Sequence, residues 1–396
     1  MSDLDEFRAA VRSGFEARLT PRRADGAFTV LGAGSDDLDA GRSYLRALAD
    51  GGWAVPTWPR EYGGLGATPA QSAIVAQELG GFDVPDLYPY VIGLAIAGPT
   101  LVDHATPEQC ERWLPPIRTG DEVWCQLFSE PDAGSDLASL ATRAERDGDG
   151  WRVTGSKVWS SRAHYAQRGL LLARTDPTVP KHTGITAFGL DMGASGVTVR
   201  PLRQMNGDTH FSEVHFDGAV VADGDRIDAP GDGWRVARTA LTYERGAGAV
   251  GGSGWGADLK DRLVDLARQR GASADPLTRQ RLAATFIELE VARRTARRAR
   301  DAARAGRTPG PEGSGAKLRG SAGLKAAAAL ALDLLGPQSV VEDGEWQTLF
   351  LTSPSISIRG GTDEIQRNIV GERVLGLPPE PRADVEVPFS DLPRTP

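Results

Sequence analysis

The hydrophobic and polar positions along the chain change period twice. From residue 1 to about 120 the apolar residues recur at helical spacing. "MSDLDEFRAAVRSGFEARLT", "DDLDAGRSYLRALADGG" and "TPAQSAIVAQELGGF" each build one apolar stripe, and the last two run into glycines suited to C-caps. From "EVWCQLFSE" through "GWRVTGSKVWSS", "RGLLLARTD", "GITAFGLD", "GVTVRPL" and "SEVHFDGAVV", short β-branched runs alternate with Gly, Asp and Pro turns. That pattern predicts a β domain over 121–228. After "APGDGW" the helical period returns, and 232–269, 276–305, 312–335 and 362–375 predict long helices, enough for a four-helix bundle over 229–378. The proline-rich tail, 379–396, predicts an extended run over the surface. Helical domain, β domain, helical bundle is an α+β order, and it excludes a Rossmann fold.

Composition narrows the class. A chain of 396 residues can bury a substantial core. A net charge of −8 argues against nucleic acid as the main partner. No apolar run approaches the roughly 18 residues needed to cross a bilayer, and the acidic N-terminus is not a signal peptide, so a cytoplasmic location and no membrane partner are expected. Cys110 and Cys125 are too few for a disulfide framework, and the five histidines lack ligand spacing, so no metal is expected. The arginine-rich stretch 292–307 reads as a solvated helix face.

Three stretches carry candidate chemistry. "FSEPDAGSD", 128–136, ends a strand in a turn whose Gly134 and Ser135 can aim N–H groups and a hydroxyl at an anion, although alone it is only a turn. "VTGSKVWSS" places Trp159 two residues before Ser161, an aromatic plane beside a hydroxyl on one strand face; taken alone, a packing tryptophan is the commoner explanation. In "SISIRGGTDEIQRNIVGERVLG", 355–376, Thr362 caps a helix whose first turn carries Asp363 and Glu364, and Gly360 and Gly361 stand just before it. Something must approach that helix start closely.

"WCQLFSEPDAGSD", "WRVTGSKVWSS" and "GGTDEIQRNIVGERVLG" occur in an order and at separations that resemble the acyl-CoA dehydrogenases, over about residues 5 to 378. The resemblance implies an N-terminal helical domain, a central β-barrel-like domain and a C-terminal four-helix bundle, with FAD between the last two and a neighbouring subunit completing its site. It implies that Gln126, Phe128 and Ser129 line the flavin, that Gly134 and Ser135 lie near the acyl-CoA or pyrophosphate, and that Trp159 flanks the ring. Ser161 would bond the ring's N5 and O4 edge, and Thr362 and Glu364 would approach FAD from the last helix. Arg268 is the one candidate survivor of the adenine-side segment, where this chain reads "RQRGASADPLTRQ".

Many members of that family carry their catalytic glutamate where this chain has Gly360. A subset places it on the first bundle helix, immediately before an arginine, and "LTYERGAGAVGG" matches with Glu244 and Arg245. Glu244 is therefore the expected base, with the Gly360 N–H holding the thioester carbonyl and Ser135, Arg245 and Gly361 contacting substrate. The run Gly246, Gly248, Gly251 and Gly252 fits a need for space, since each glycine costs a helix about 1 kcal/mol relative to alanine. The expected activity is α,β-dehydrogenation of an acyl-CoA or acyl-carrier thioester, with an acceptor such as electron-transfer flavoprotein. A homotetramer or dimer is expected, a heterotetramer being the other arrangement. The alternatives are a flavin monooxygenase or oxidase on the same fold, and a non-catalytic partner subunit.

Overall fold

The structure is a computed structural model that describes residues 3–22, 36–246, 259–304, 310–311, 313–341, 344–382 and 384–393. The chain opens with α1 (Asp3–Glu16), α2 (Leu38–Ala49), α3 (Pro69–Leu79), α4 (Gly98–His104) and α5 (Pro107–Thr119). Local chemistry sets their ends. Asp37 caps α2, and Thr68 and Thr106 begin α3 and α5 with reciprocal capping boxes to Gln71 and Gln109. Gly120 closes α5 in the left-handed region, whereas Gly80, expected as a similar cap, ends α3 with right-handed angles. A π-helical turn, Ile92–Ala97, leads into α4.

The middle of the chain folds into one mixed sheet of eight strands: β1 (Trp124–Leu127), β2 (Arg143–Asp147), β3 (Gly150–Ser161), β4 (Arg168–Arg174), β5 (Ile185–Asp191), β6 (Val197–Leu202), β7 (Phe211–Ala222) and β8 (Arg226–Ile227). The order is β6-β7-β3-β2-β4-β5-β8, with β1 parallel to β4. Six strands fall where alternation predicted them. The other two, β2 and β8, are short, and four of the five β2 residues are solvent-exposed, so neither leaves an apolar signal.

The second helical half comprises α6 (Gly233–Gly246), α7 (Leu259–Gln269), α8 (Pro276–Arg304), α9 (Gly313–Leu335), α10 (Gln338–Val341), α11 (Glu345–Ile356) and α12 (Asp363–Arg373). Two details differ from expectation. The helix α11 was not foreseen in the stretch before the glycine pair. And α6 buries Val236, Ala237 and Ala240 in the core of the N-terminal helices and sheet, while Leu263, Leu324 and Leu349 of α7, α9 and α11 form a separate core. The glycine run 248–252 and the Arg245 side chain lie outside the described residues.

The tail has no strand or α-helix among the described residues; it carries bends and a 3-10 turn at Phe389–Asp391 and packs on the loop between β4 and β5. Phe389 N donates to Val179 O (2.9 Å), and Lys181 pairs with Asp384 and with Asp136.

Candidate functional site

Two neighbouring segments of the sheet face build one wall. Beyond β1, Phe128 is buried, and its carbonyl accepts a hydrogen bond from Lys157 Nζ (2.9 Å). Lys157 is fully buried and lies 2.7 Å from Glu130, whose carboxylate also accepts from the Ala141 and Thr142 N–H groups (2.6 and 2.9 Å). Burial pulls the Lys157 ammonium down to about 8, against the pull of Glu130. Burial pushes the Glu130 carboxyl up, but Lys157 and the two N–H groups outweigh it and hold it below its ordinary value. With Val158 N donating to Ser129 O (2.9 Å), the 128–130 segment is fixed against β3. This pair was not foreseen, and its one available sequence signal is a lysine at an inward position of a β strand.

The hairpin-like turn that follows closes with paired Glu130–Ala133 bonds (3.0 and 3.1 Å), leaving Gly134 and Ser135 exposed. Asp136 is held by Lys181 at 2.8 Å.

At the end of β3 the expected alternation breaks. The register with β7 shifts between Lys157 and Ser160, and Trp159 and Arg162 both adopt left-handed angles (φ 59° and 55°). Such angles are costly for non-glycine residues and persist where the surroundings impose them. Trp159 is not a packing tryptophan: 59 % of it is exposed, with Phe211 edge-on at 5.8 Å. Ser161 is half-buried beside it.

Arg162 supplies the restraint. Its N–H donates to His210 O (2.7 Å), and its guanidinium binds Asp36 through two nitrogens (2.7 and 3.0 Å) and lies 4.0 Å from the Tyr88 ring centre. Asp36 also accepts from the Tyr165 hydroxyl (2.5 Å). Sequence gave no sign of this clamp, whose partners are 126 residues apart.

Glu244 sits half-buried in the last turn of α6, which packs on the π-helical turn, α4 and β5. Its Oε2 accepts from Gln126 Nε2 at 3.3 Å, so two predicted residues 118 positions apart meet.

Gly360 and Gly361 have φ of +66° and +86°, angles that glycine adopts without penalty. A Cβ at Gly360 would meet no atom within 4 Å, so the space beside it is open. Thr362 caps α12 by accepting from Ile365 N (3.2 Å), as predicted. Glu364 is exposed and pairs with Arg367 at 3.4 Å. Arg268, at the end of α7, is exposed and pairs with Asp265 of its own helix (3.1 Å). Asn206, between β6 and β7, reaches Thr352 of α11 (3.0 Å) across the seam between sheet and bundle. Among the described residues no cluster of His, Cys, Asp and Glu could hold a metal ion.

Comparison with known proteins places this geometry in a family. Residues 1–121, 125–219 and 231–375 match the models of the acyl-CoA dehydrogenase N-terminal, middle and C-terminal domains. Acyl-CoA dehydrogenase IpdE1 of Mycobacterium tuberculosis is 40 % identical over 390 residues, covering 96 % of this chain and 99 % of its own. A solved structure described as "Tcur3481-Tcur3483 steroid ACAD" superposes with a TM-score of 0.75 at 27 % identity, over 95 % of this chain and 98 % of that one. The ChsE4-ChsE5 complex from Mycobacterium tuberculosis gives 0.72 at 27 % identity, over 96 % and 98 %. The left-handed tryptophan beside a serine, the carboxylate of α6 and the glycine turn before α12 thus stand on a chain that belongs to the acyl-CoA dehydrogenase family of FAD-dependent oxidoreductases.

Proposed function

We propose that this chain removes hydrogen across the α,β bond of an acyl-CoA thioester, with Glu244 as the base. The observation that carries this is the Gln126–Glu244 hydrogen bond, which sets the carboxylate of α6 against the strand that leads into the flavin-lining segment. The residues present suit FAD. Trp159 offers an exposed indole plane, Ser161 a hydroxyl beside it, and Thr362 the start of α12, whose positive dipole end favours negative groups. Phe128 and Ser129 would line the ring, Gly134 and Ser135 would meet the pyrophosphate or the CoA, and Glu364 would approach from α12.

FAD supplies hydride acceptance from the β-carbon. The protein does the rest. Glu244 takes the α-proton, and the Gly360 N–H donates to the thioester oxygen as negative charge gathers there. Taking the proton without such a donor would leave the developing charge unsupported. The open space at Gly360 is where a side chain would otherwise crowd the thioester.

A bulky acyl group is supported by the relative described as a "steroid ACAD". The same relative and the ChsE4-ChsE5 complex are each named as pairs of chains. Together with the pairing of Arg268 inside its own helix, this supports an FAD adenine end completed by a second, related chain. An electron-transfer flavoprotein fits as acceptor.

The test is Glu244→Gln in the flavin-loaded enzyme. Flavin content stays unchanged while turnover falls by roughly 10²- to 10⁴-fold. Unchanged turnover removes Glu244 from the role. Bleaching of the flavin by acyl-CoA under anaerobic conditions, with no oxygen consumed in air, separates a dehydrogenase from an oxidase.

A further inference from the structure

The glycine turn is held from two sides. On α9, residues 317, 321 and 325 recur every four positions and therefore share one face. Lys317, 22 % exposed, donates to the Gly361 carbonyl and lies 3.2 Å from Asp363 Oδ1. Ser321 Oγ donates to the same carboxylate at 3.1 Å. Lys325 lies 3.8 Å from its other oxygen and donates to the Ser357 hydroxyl. From the opposite side, Gln366 Nε2 donates to the Gly360 carbonyl (3.1 Å) and, more distantly, to that of Gly361 (3.4 Å). The turn is anchored before and after: Arg359 N donates to Ser355 O and Asp363 N to Ser357 O, both at 2.9 Å.

Two consecutive glycines can flip their peptide planes with little steric resistance. A peptide's carbonyl and its N–H share one plane and point in opposite directions. Fixing the carbonyls of Gly360 and Gly361 therefore fixes the planes that follow each glycine. With the Arg359 N–H anchored as well, the plane that carries the Gly360 N–H is hinged between two held neighbours, which narrows the directions that N–H can take. Burial pulls the Lys317 ammonium below the ordinary lysine range, Asp363 opposing. A charge is thus partly withdrawn from water to meet both the Asp363 carboxylate and the Gly361 carbonyl.

We propose that Lys317 is a positioning residue for the reaction: by holding the Gly361 carbonyl it keeps the Gly360 N–H aimed at the thioester oxygen, and so sets the acidity of the bound substrate's α-carbon. This rests on Gly360 as the thioester donor.

The experiment uses the flavin-loaded enzyme and a 3-thia-acyl-CoA, in which sulfur replaces the β-carbon. Such a thioester can lose its α-proton but has no hydride to give. Its enolate, lying against the flavin, absorbs at long wavelength, and the pH midpoint of that absorbance reads the acidity directly. Lys317→Met is expected to raise the midpoint by about one pH unit, a tenfold loss of acidity, and to lower kcat about tenfold with little change in KM. Lys317→Arg recovers most of both. Lys325→Met, which touches Asp363 and Ser357 but no glycine carbonyl, costs stability without moving the midpoint.

A wild-type midpoint in Lys317→Met overturns the proposal, and so does an equal shift in Lys325→Met, which makes the effect general loosening. If Lys317→Met does not fold, Gln366→Ala frees the Gly361 carbonyl, and that of Gly360 with it, and must give the shift. A wild-type enzyme that shows no such absorbance with the analogue, and no bleaching by acyl-CoA, fails the functional reading itself. Loss of the shift alone fails only the role of Lys317.

Discussion

The two cores of the molecule are built differently. The sheet and the N-terminal helices share a core packed around large side chains, with Trp113, Trp124, Phe15 and Phe188 fully enclosed and a buried Lys157–Glu130 pair at its edge. The bundle core is a thin layer of leucines and alanines around Trp346, and α8 leaves Leu277 and Ile287 on the surface. Glu244 and Trp159 belong to elements of the first, Gly360 to the second. The difference teaches that the sheet side is the reference, and that the bundle side is pinned to it by polar contacts such as that of Asn206 and held together within itself by those of Lys317.

That contrast can be broken at its strongest point first. Lys157→Met leaves the Glu130 carboxylate buried without its counter-charge, and the expected loss is about 3–5 kcal/mol in denaturant unfolding. A loss under about 1 kcal/mol would show that the sheet wall is not the anchored half. Gly360→Ala comes next. No atom crowds the added methyl, so the cost is that of a left-handed alanine, about 1–2 kcal/mol, read as a small drop in melting temperature with the fold retained.

The smallest effect is the acid response. The carboxyls of Glu130 in the sheet and Asp363 in the bundle are both held below their ordinary values, 4.5 and 3.8. Burial pushes each up; Lys157 and backbone N–H groups pull the first down, and Ser357, Lys317 and Ser321 the second. A carboxyl lowered in the folded state adds stability that is complete above its ordinary value and is lost as the pH falls through its folded value. Unfolding midpoints should therefore be flat for these groups down to about pH 4.5 and decline below it. A decline that begins near neutrality would point to other groups.

Much of this could be read from the sequence, and the rest had physical reasons to stay hidden. Short β-branched runs between turn residues revealed β3, β4, β5 and β7, of which β4 and β5 are buried on both faces; β2 presents only Ala144 inward and carries charges elsewhere. The helix α11 hid behind Pro354 and a run of apolar residues without a clear stripe. Thr362 as a cap and the turn at Gly134 were legible because caps and turns are local. The Arg162–Asp36 clamp and the Lys317–Gly361 contact were not, since nothing nearby in the chain marks which distant carboxylate or carbonyl a basic side chain will meet. The left-handed angle at Trp159 was equally invisible, because a bulge is decided between two strands and not within one.

The π-helical turn at Ile92–Ala97 has one further consequence. Wider winding accommodates an extra residue in a helix without shifting what lies on either side, so such a segment behaves as a slack loop folded into a rod. It lies directly against α6, the helix that carries Glu244. Gaining or losing a single residue there changes the contour of that wall while α4 and the sheet stay where they are, an adjustable gauge for how wide a guest the neighbouring helix can face.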